Sequence, residues 1–235
     1  MTKVYRRRQV AVLVLVFLSL LAVFINSWLS YSPAPPSADP QGAADNSQPL
    51  AISQLENLEI KNWQAASDYV RSEFGSGWAS WQTCDTRQKI LARDLSEIKY
   101  GEDNCTVLSC VLNDPYTGKV INFQRGSTTS NAVQIDHVVA LANAWQTGAS
   151  YWDKTQRIAL ANDDLELLAV DGPANNQKSA ADAAQWLPSN LGFRCQYVAR
   201  QIAVKLKYLL WITPDEYSAM KTVLTTCPDQ HLPTP

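Results

Sequence analysis

The N-terminal thirty residues decide the compartment in which the rest of this chain can fold. Four basic residues stand at the start: Lys3, Arg6, Arg7 and Arg8. Residues 10–25 follow without a charge and are almost wholly apolar. A basic flank before such a run is typical of a signal peptide, or of a signal anchor long enough to span a bilayer. Because the positive flank stays in the cytoplasm, we predict that the remainder is secreted or membrane-anchored outside it.

The predicted domain organisation follows from the composition after this run. Residues 1–29 form the signal peptide or signal anchor, and the anchor is favoured because no clear small-residue cleavage site follows. Residues 30–51 are rich in Ser, Pro, Ala, Asp and Gln, which is typical of a disordered linker. Residues 52–235 are then long enough for one domain of ordinary size, beginning near Ile52 to Trp63.

The charge of the exported part excludes one class of nucleic-acid-binding protein. The chain carries a formal net charge of −2, and without the four N-terminal cations this becomes −6. A protein that coats nucleic acid without specificity needs a broad basic surface, which this composition does not provide. An enzyme with a local basic cleft remains compatible with an acidic chain.

Five cysteines are present: Cys84, Cys105, Cys110, Cys195 and Cys227. The absence of a CxxC pair and the total of two histidines disfavour a structural zinc site. Outside the cytoplasm, disulfides are the better interpretation. We predict Cys105–Cys110 and Cys195–Cys227, which leaves Cys84 free or unexplained, although spacing leaves the connectivity open.

Hydrophobic patterning predicts an α+β fold. Asp85 is placed to cap a helix, and Asp114 to Gly118 supplies turn chemistry between the predicted strands 107–112 and 119–123. Residues 132–136 and 166–170 are predicted strands, and 138–147 a helix. Residues 196–211 are predicted to form an amphipathic helix, with Lys205 away from the apolar face, and Thr213 to cap a last helix in which Glu216 completes a capping box.

One pair of residues carries the clearest chemistry, Asp136-His137, at the predicted junction of a strand and a helix. Hydrolysis of a phosphodiester needs a base to activate water and a divalent cation to offset charge on the phosphate. A neutral histidine suits the first role near neutral pH, and carboxylate and amide oxygens suit a hard cation. His231 lies in a C-terminal tail that is predicted to be frayed, so His137 is the candidate base.

Several blocks resemble the actinobacterial secreted HNH endonuclease family, which is related to the C-terminal domain of GmrSD-type restriction nucleases. The similar blocks are Cys84–Gln88 with Ile90–Leu95, Asp114–Gly118, Val133–Leu141, Leu167–Asn175, and Phe193–Cys195 with Tyr197–Gln201. The resemblance implies a ββα-metal core with additional helices. It further implies Asp136 as a metal ligand, His137 as the general base and Asn175 as the second protein ligand. The implied cofactor is a divalent metal, Mg²⁺ by preference with Mn²⁺ or Zn²⁺ as alternatives, and the implied substrate is nucleic acid, DNA in the first place.

Glu166 departs from the pattern of that family, in which an asparagine at the start of the second strand orients the catalytic loop. An ionised glutamate cannot donate the amide hydrogen bonds of asparagine. Either Glu166 weakens the site, or its carboxylate pairs with the His137 ring and raises the basicity of the ring. The second hypothesis about function is therefore a non-catalytic cell-envelope interaction module that retains the nuclease frame.

Two cations are candidates for phosphate contacts, Arg125 after a predicted strand and Lys178 after Asn175. Solvated side chains in a turn and on a helix are the alternatives for them. The tryptophans are interpreted as core residues rather than as a base-stacking platform. The membrane is a partner only through an uncleaved N-terminal helix, and no protein partner can be inferred.

Overall fold

The computed structural model describes residues 48–65, 67–81 and 84–233. These residues form a mixed α+β fold. The helices are α1 (Ala51–Leu55), α2 (Thr86–Asp94), α3 (Leu141–Gln146), α4 (Lys154–Ala161), α5 (Gly172–Lys178), α6 (Arg194–Tyr208) and α7 (Pro214–Leu224). The strands are β1 (Ser80–Trp81), β2 (Cys84–Asp85), β3 (Ser96–Tyr100), β4 (Val107–Asn113), β5 (Val120–Gln124), β6 (Val133–His137) and β7 (Leu167–Asp171).

The predicted signal peptide or anchor at 1–29 lies outside the described residues, as does most of the predicted linker. Within the residues that the structure describes, no helix is long and apolar enough to cross a membrane. Helix α1 begins at the edge of the predicted linker, and its Ala51 and Leu55 are fully buried.

The strands form three small antiparallel sheets, β1-β2, β3-β4-β5 and β6-β7. The predicted hairpin is confirmed, since Asn113 pairs with Val120 across its turn. Asp114 closes that turn, because its carboxylate accepts the Thr117 backbone N–H at 2.7 Å. Gly118 supplies the positive φ of 74° that the turn needs.

The β6-β7 pair lies between two apolar clusters, which explains why β7 is apolar throughout. Leu167 and Ala169 pack in the smaller cluster, with α2 and the β3-β4-β5 sheet. Leu168 and Val170 point the other way, into the larger cluster with α6 and α7. Successive side chains of a strand face opposite sides, so burial of both faces requires a continuous apolar run.

The caps that were predicted from sequence are present. The Asp85 carboxylate accepts the Gln88 backbone N–H at 2.9 Å at the start of α2. Thr213 accepts the Glu216 backbone N–H at 3.1 Å at the start of α7. Each cap satisfies one of the N–H groups that the first turn of a helix leaves unpaired.

The predictions for Lys205, for the Glu216 capping box and for the C-terminal tail were wrong. Lys205 is fully buried, and its ammonium lies 2.7 Å from the Glu216 carboxylate, so Glu216 pairs with α6 instead of completing a capping box. The C-terminal tail is tied down, because His231 forms a β-bridge with Leu50. The helix that was predicted at 138–147 is present, but it is shorter and spans Leu141–Gln146.

One predicted disulfide is confirmed and the other was wrong. Cys195 is bonded to Cys227, which joins the start of α6 to the chain just after α7. Cys105 is bonded to Cys84 rather than to Cys110, and Cys110 is a buried free thiol in β4. The Cys84–Cys105 bond ties the short β1-β2 hairpin to the segment before β4, a link across 21 residues that spacing alone did not indicate.

Candidate functional site

The β6-β7 pair and helix α5 place the candidate base His137 and the candidate metal ligands Asp136 and Asn175 around one cavity. Asp136 and His137 end β6 opposite Leu168 and Leu167, and α5 begins directly after β7. The Asp171 carboxylate caps α5 by accepting the Ala174 backbone N–H at 2.8 Å. A cavity of about 360 Å³ is lined by residues from these elements and from their surroundings. They are Tyr69, Arg71, Ile135, Asp136, His137, Ala140, Leu141, Ala142, Asn175, Asn176, Ser179 and Ala180.

Gly172 fixes the start of α5 against the chain before β6. A Cβ atom built on Gly172 would stand 1.9 Å from the Asn131 carbonyl oxygen, so no other residue fits without a backbone shift. The close approach sets the start of α5 against the chain just before β6, where the Asn175 amide then bonds to Gln134 of β6.

His137 is held in one orientation by two contacts. Its Nε2 lies 3.0 Å from the Ala161 carbonyl oxygen. A carbonyl only accepts, so Nε2 carries the proton and Nδ1 keeps the lone pair. The ring also stacks on Trp78, with centroids 5.6 Å apart and planes 10° from parallel. Burial lowers the pKa of His137 to about 3, so the imidazole is neutral across the ordinary pH range.

Asp136 is buried and already has two donors. The Lys178 ammonium lies 3.0 Å from its Oδ1, and the Tyr116 hydroxyl donates to its Oδ2. Burial raises the pKa of Asp136, and the Lys178 ammonium opposes that rise. A carboxylate offers about four acceptor positions, so both oxygens can still accept a further ligand. Tyr116 belongs to the turn that was predicted between β4 and β5, but nothing in the local sequence indicated its contact with Asp136.

Asn175 has a fixed amide and a free oxygen. Its Nδ2 donates to the Gln134 Oε1 at 2.9 Å, and no described group donates to its Oδ1. The oxygens of Asn175 and Asp136 are of the type that Mg²⁺ takes from proteins, where one or two protein oxygens are supplemented by water and phosphate. Within the described ranges there is no group of three or more His, Cys, Asp or Glu that could hold a metal by itself. The donor set therefore fits a cation that is shared with its substrate.

Glu166 supports the loop after His137 rather than the His137 ring. Its Oε2 accepts the Val139 backbone N–H at 3.2 Å, and its backbone carbonyl accepts that of Val138 at 2.9 Å. Pairing of this carboxylate with the ring N–H is contradicted, because that N–H goes to Ala161. Burial raises the pKa of Glu166 well above its usual range, and nearby Asp136 adds to the rise. A protonated glutamate has both a donor and an acceptor, as an amide does.

The two cations that were candidates for phosphate contacts are both bound to groups within the protein. Lys178 is 1% exposed and its ammonium is occupied by Asp136 and by the His137 carbonyl. Arg125 donates to the Val107 carbonyl and to Gln88, beside the β3-β4-β5 sheet, and does not line the cavity. Sequence reasoning instead missed Arg71, which lies in a one-turn 3-10 helix (Arg71–Phe74) without any motif around it.

A second cavity of about 310 Å³ lies beside His137, and the segment 71–78 forms most of its wall. It is lined by Arg71, Ser72, Phe74, Gly75, Ser76, Gly77, Trp78, His137, Leu141 and Ala161. His137, Arg71 and Leu141 line both cavities. Trp78 is therefore part of the site, whereas Trp145 and Trp211 are core residues, as predicted.

The chain is similar to known proteins over most of its length. The sequence model of the C-terminal domain of GmrSD restriction endonucleases matches residues 85–223. A protein from Arthroderma benhamiae, named "Uncharacterized secreted protein", is 32% identical over 212 residues, which cover 89% of this chain and 98% of that protein. No solved structure matches. The family match includes the β6-β7 pair and α5 with all of their candidate site residues, and the chain belongs to the GmrSD restriction endonuclease C-terminal domain family, a nuclease-related family.

Proposed function

We propose that this protein is a metal-dependent nuclease of the HNH type, which hydrolyses phosphodiester bonds of nucleic acid, DNA in the first place, outside the cytoplasm. The observation that carries the proposal is the single cavity lined by Asp136, His137 and Asn175. In this interpretation β6, β7 and α5 form a ββα-metal core, and the other helices and the β3-β4-β5 sheet surround it. Family membership supports a nucleic-acid substrate.

His137 acts as the general base through Nδ1. The Ala161 carbonyl and the Trp78 ring hold the imidazole in place, so the Nδ1 lone pair takes the proton of a water molecule that attacks phosphorus. A pKa of about 3 keeps the base unprotonated before substrate binds. The negative charge of a bound phosphate favours the imidazolium and so raises the basicity of His137 during the reaction.

Asp136 and Asn175 are the residues that would hold the cation. A divalent metal, Mg²⁺ by preference with Mn²⁺ or Zn²⁺ as alternatives, would offset charge on the phosphate and on the leaving oxygen. Lys178 and Tyr116 keep the Asp136 carboxylate oriented in its buried position. Glu166 keeps the loop after His137 in place through Val139.

The extracytoplasmic location rests on three observations. Residues 1–29 have the charge pattern of an export signal, so the protein would be secreted or membrane-anchored. Two disulfides are present, which is typical of proteins that fold in an oxidising compartment. The relative from Arthroderma benhamiae is named a secreted protein.

Removal of the base tests this proposal. We expect the purified full-length chain to nick plasmid DNA with Mg²⁺ or Mn²⁺ and to stop when the metal is chelated. His137→Ala should lower the rate by about 10²–10⁴-fold, which is the usual contribution of a positioned base. His231→Ala is the matched control, because it removes the other imidazole, which lies in the C-terminal tail. Circular dichroism of each variant checks that the fold is retained.

A non-catalytic interaction module is the rival, and the buried ion pair of Asp136 with Lys178 is the observation that favours it. The same experiment separates the two. Absence of cleavage by the wild-type chain with Mg²⁺, Mn²⁺ and Zn²⁺, on both DNA and RNA, would support the rival. Cleavage that His137→Ala leaves unchanged would refute the base assignment.

A further inference from the structure

Arg71 is placed where a substrate phosphate would lie. It is solvent-exposed, and it lines both of the cavities that meet at His137. No other lysine or arginine lines either cavity among the described residues. The Arg71 guanidinium is also close to the Tyr69 hydroxyl, where it opposes the rise in the pKa of Tyr69 that burial causes. The cavity therefore offers a cation and a hydroxyl donor in addition to Asn175.

The remaining arginines of the described domain are already engaged. Each of them donates to a backbone carbonyl: Arg87, Arg93, Arg125, Arg157, Arg194 and Arg200. Arg71 has no carboxylate or carbonyl partner within the described ranges. A planar guanidinium without a carboxylate or carbonyl partner can bind two phosphate oxygens at once.

The charge of the site makes such a cation necessary. Lys178 is buried and paired with Asp136, so its charge neutralises the carboxylate and is not available to bind a ligand. The exported chain is acidic, with a formal net charge of −6 without the four N-terminal cations, so a phosphate gains little from the protein as a whole. Besides the proposed metal, Arg71 is then the cation that the lining of the cavity offers to an anionic substrate.

We propose that Arg71 is a substrate-binding residue that holds the phosphate at the site of cleavage between the two cavities, next to His137. The inference rests on the proposed function and deepens it. The segment 69–78 precedes residues 85–223, over which the family model matches. This segment thus adds a phosphate-binding wall in front of the family domain, and the Cys84–Cys105 disulfide secures the hairpin that follows this wall.

Substitution of Arg71 in the full-length chain, with cleavage measured as a function of NaCl, tests the inference. Arg71→Gln should lower kcat/KM by about 10- to 100-fold, the loss expected for a hydrogen bond between charged groups. The slope of log(kcat/KM) against log[NaCl] should become shallower by about one, because one phosphate contact is lost. Arg71→Lys should restore the slope but only part of the rate, since lysine keeps the charge without the two-pronged donor. Lys119→Gln, an equal change of charge in the exposed β4-β5 turn, should leave both unchanged.

Two results in an active enzyme would overturn the inference while leaving the proposed function intact. One is an unchanged rate in Arg71→Gln. The other is an equal loss in Arg71→Gln and Arg71→Lys with an unaltered salt slope, which indicates a structural role. If the wild-type chain does not cleave, the proposed function fails. The role of Arg71 in phosphate binding is then tested by DNA binding alone. Fluorescence anisotropy with a labelled DNA oligonucleotide should then show weaker binding for Arg71→Gln than for Lys119→Gln, and equal binding or none would overturn it.

Discussion

Glu166 is expected to work as a neutral hydrogen-bonding group, and Glu166→Gln should therefore preserve the fold and the site. The side chain is fully buried, and its Oε2 accepts the Val139 backbone N–H. Its Oε1 is buried and, within the described domain, has no hydrogen-bond donor beside it, as an ionised carboxylate would need. Gln201 Oε1 is likewise a buried acceptor without a donor, and the Gln201 amide binds the carbonyl of Val138, next to Val139. Protonation of Glu166 would remove the negative charge from a buried carboxyl group that has this unpartnered oxygen, Oε1.

The direction of the pH dependence follows from the raised pKa. Because burial raises the pKa of folded Glu166 well above 4.5, the unfolded chain releases this proton first as pH increases. The contribution of Glu166 to stability is then complete below pH 4.5 and is lost as pH rises through the folded pKa. Above pH 4.5, and as long as Glu166 stays protonated in the folded chain, the free energy of unfolding falls by about 1.4 kcal/mol for each pH unit. Glutamine has no proton to release, so Glu166→Gln should gain stability over wild type by this amount per pH unit above pH 5, until the pH reaches the raised pKa of folded Glu166.

Truncation should behave differently. Glu166→Ala leaves the Val139 N–H buried without a partner and creates a cavity, at a cost of about 3 kcal/mol near pH 5. It should also lower nuclease activity, because the loop after His137 loses an anchor, whereas Glu166→Gln should stay within a few-fold of wild type. Urea unfolding of the three proteins at pH 5, 6, 7 and 8 gives the free energies, with Glu102→Gln in an exposed turn as the control. Parallel pH curves for wild type and Glu166→Gln would refute the reasoning.

Two further predictions concern long-range links in the fold. Lys205→Met removes the only ion-pair partner of buried Glu216 within the described domain, and it should cost about 3–5 kcal/mol in urea unfolding, whereas Lys205→Met/Glu216→Leu should lie much closer to wild type; equal losses in the two proteins would contradict this. The joint replacement Cys195→Ala/Cys227→Ala opens a link across 32 residues and should lower the free energy of unfolding by about 3–4 kcal/mol. The Cys84–Cys105 bond is checked by peptide mapping without reduction, in which a Cys105–Cys110 peptide would contradict it.

Local features of this protein were predictable because their interactions span only a few residues. The Asp85 and Thr213 caps each bind a backbone N–H three residues later, so a short stretch of sequence contains both the cap residue and its partner. The turn from Asp114 to Gly118 closes on itself in the same way. The apolar run of β7 indicated a strand that is buried on both faces. The candidate base and ligands followed from the blocks around Asp136 and Asn175, which the family match contains.

The tertiary structure alone decided which distant groups meet. Lys178 and Lys205 have the sequence context of exposed helix lysines, yet each is buried against a carboxylate supplied by another element, Asp136 and Glu216. Cys84 meets Cys105 because the β1-β2 hairpin packs beside the segment before β4. Arg71 reaches His137 across 66 positions of sequence, a distance that no periodicity or motif spans. A periodic pattern reports which face of an element is buried, but the partner of a buried charge depends on how the elements pack against one another.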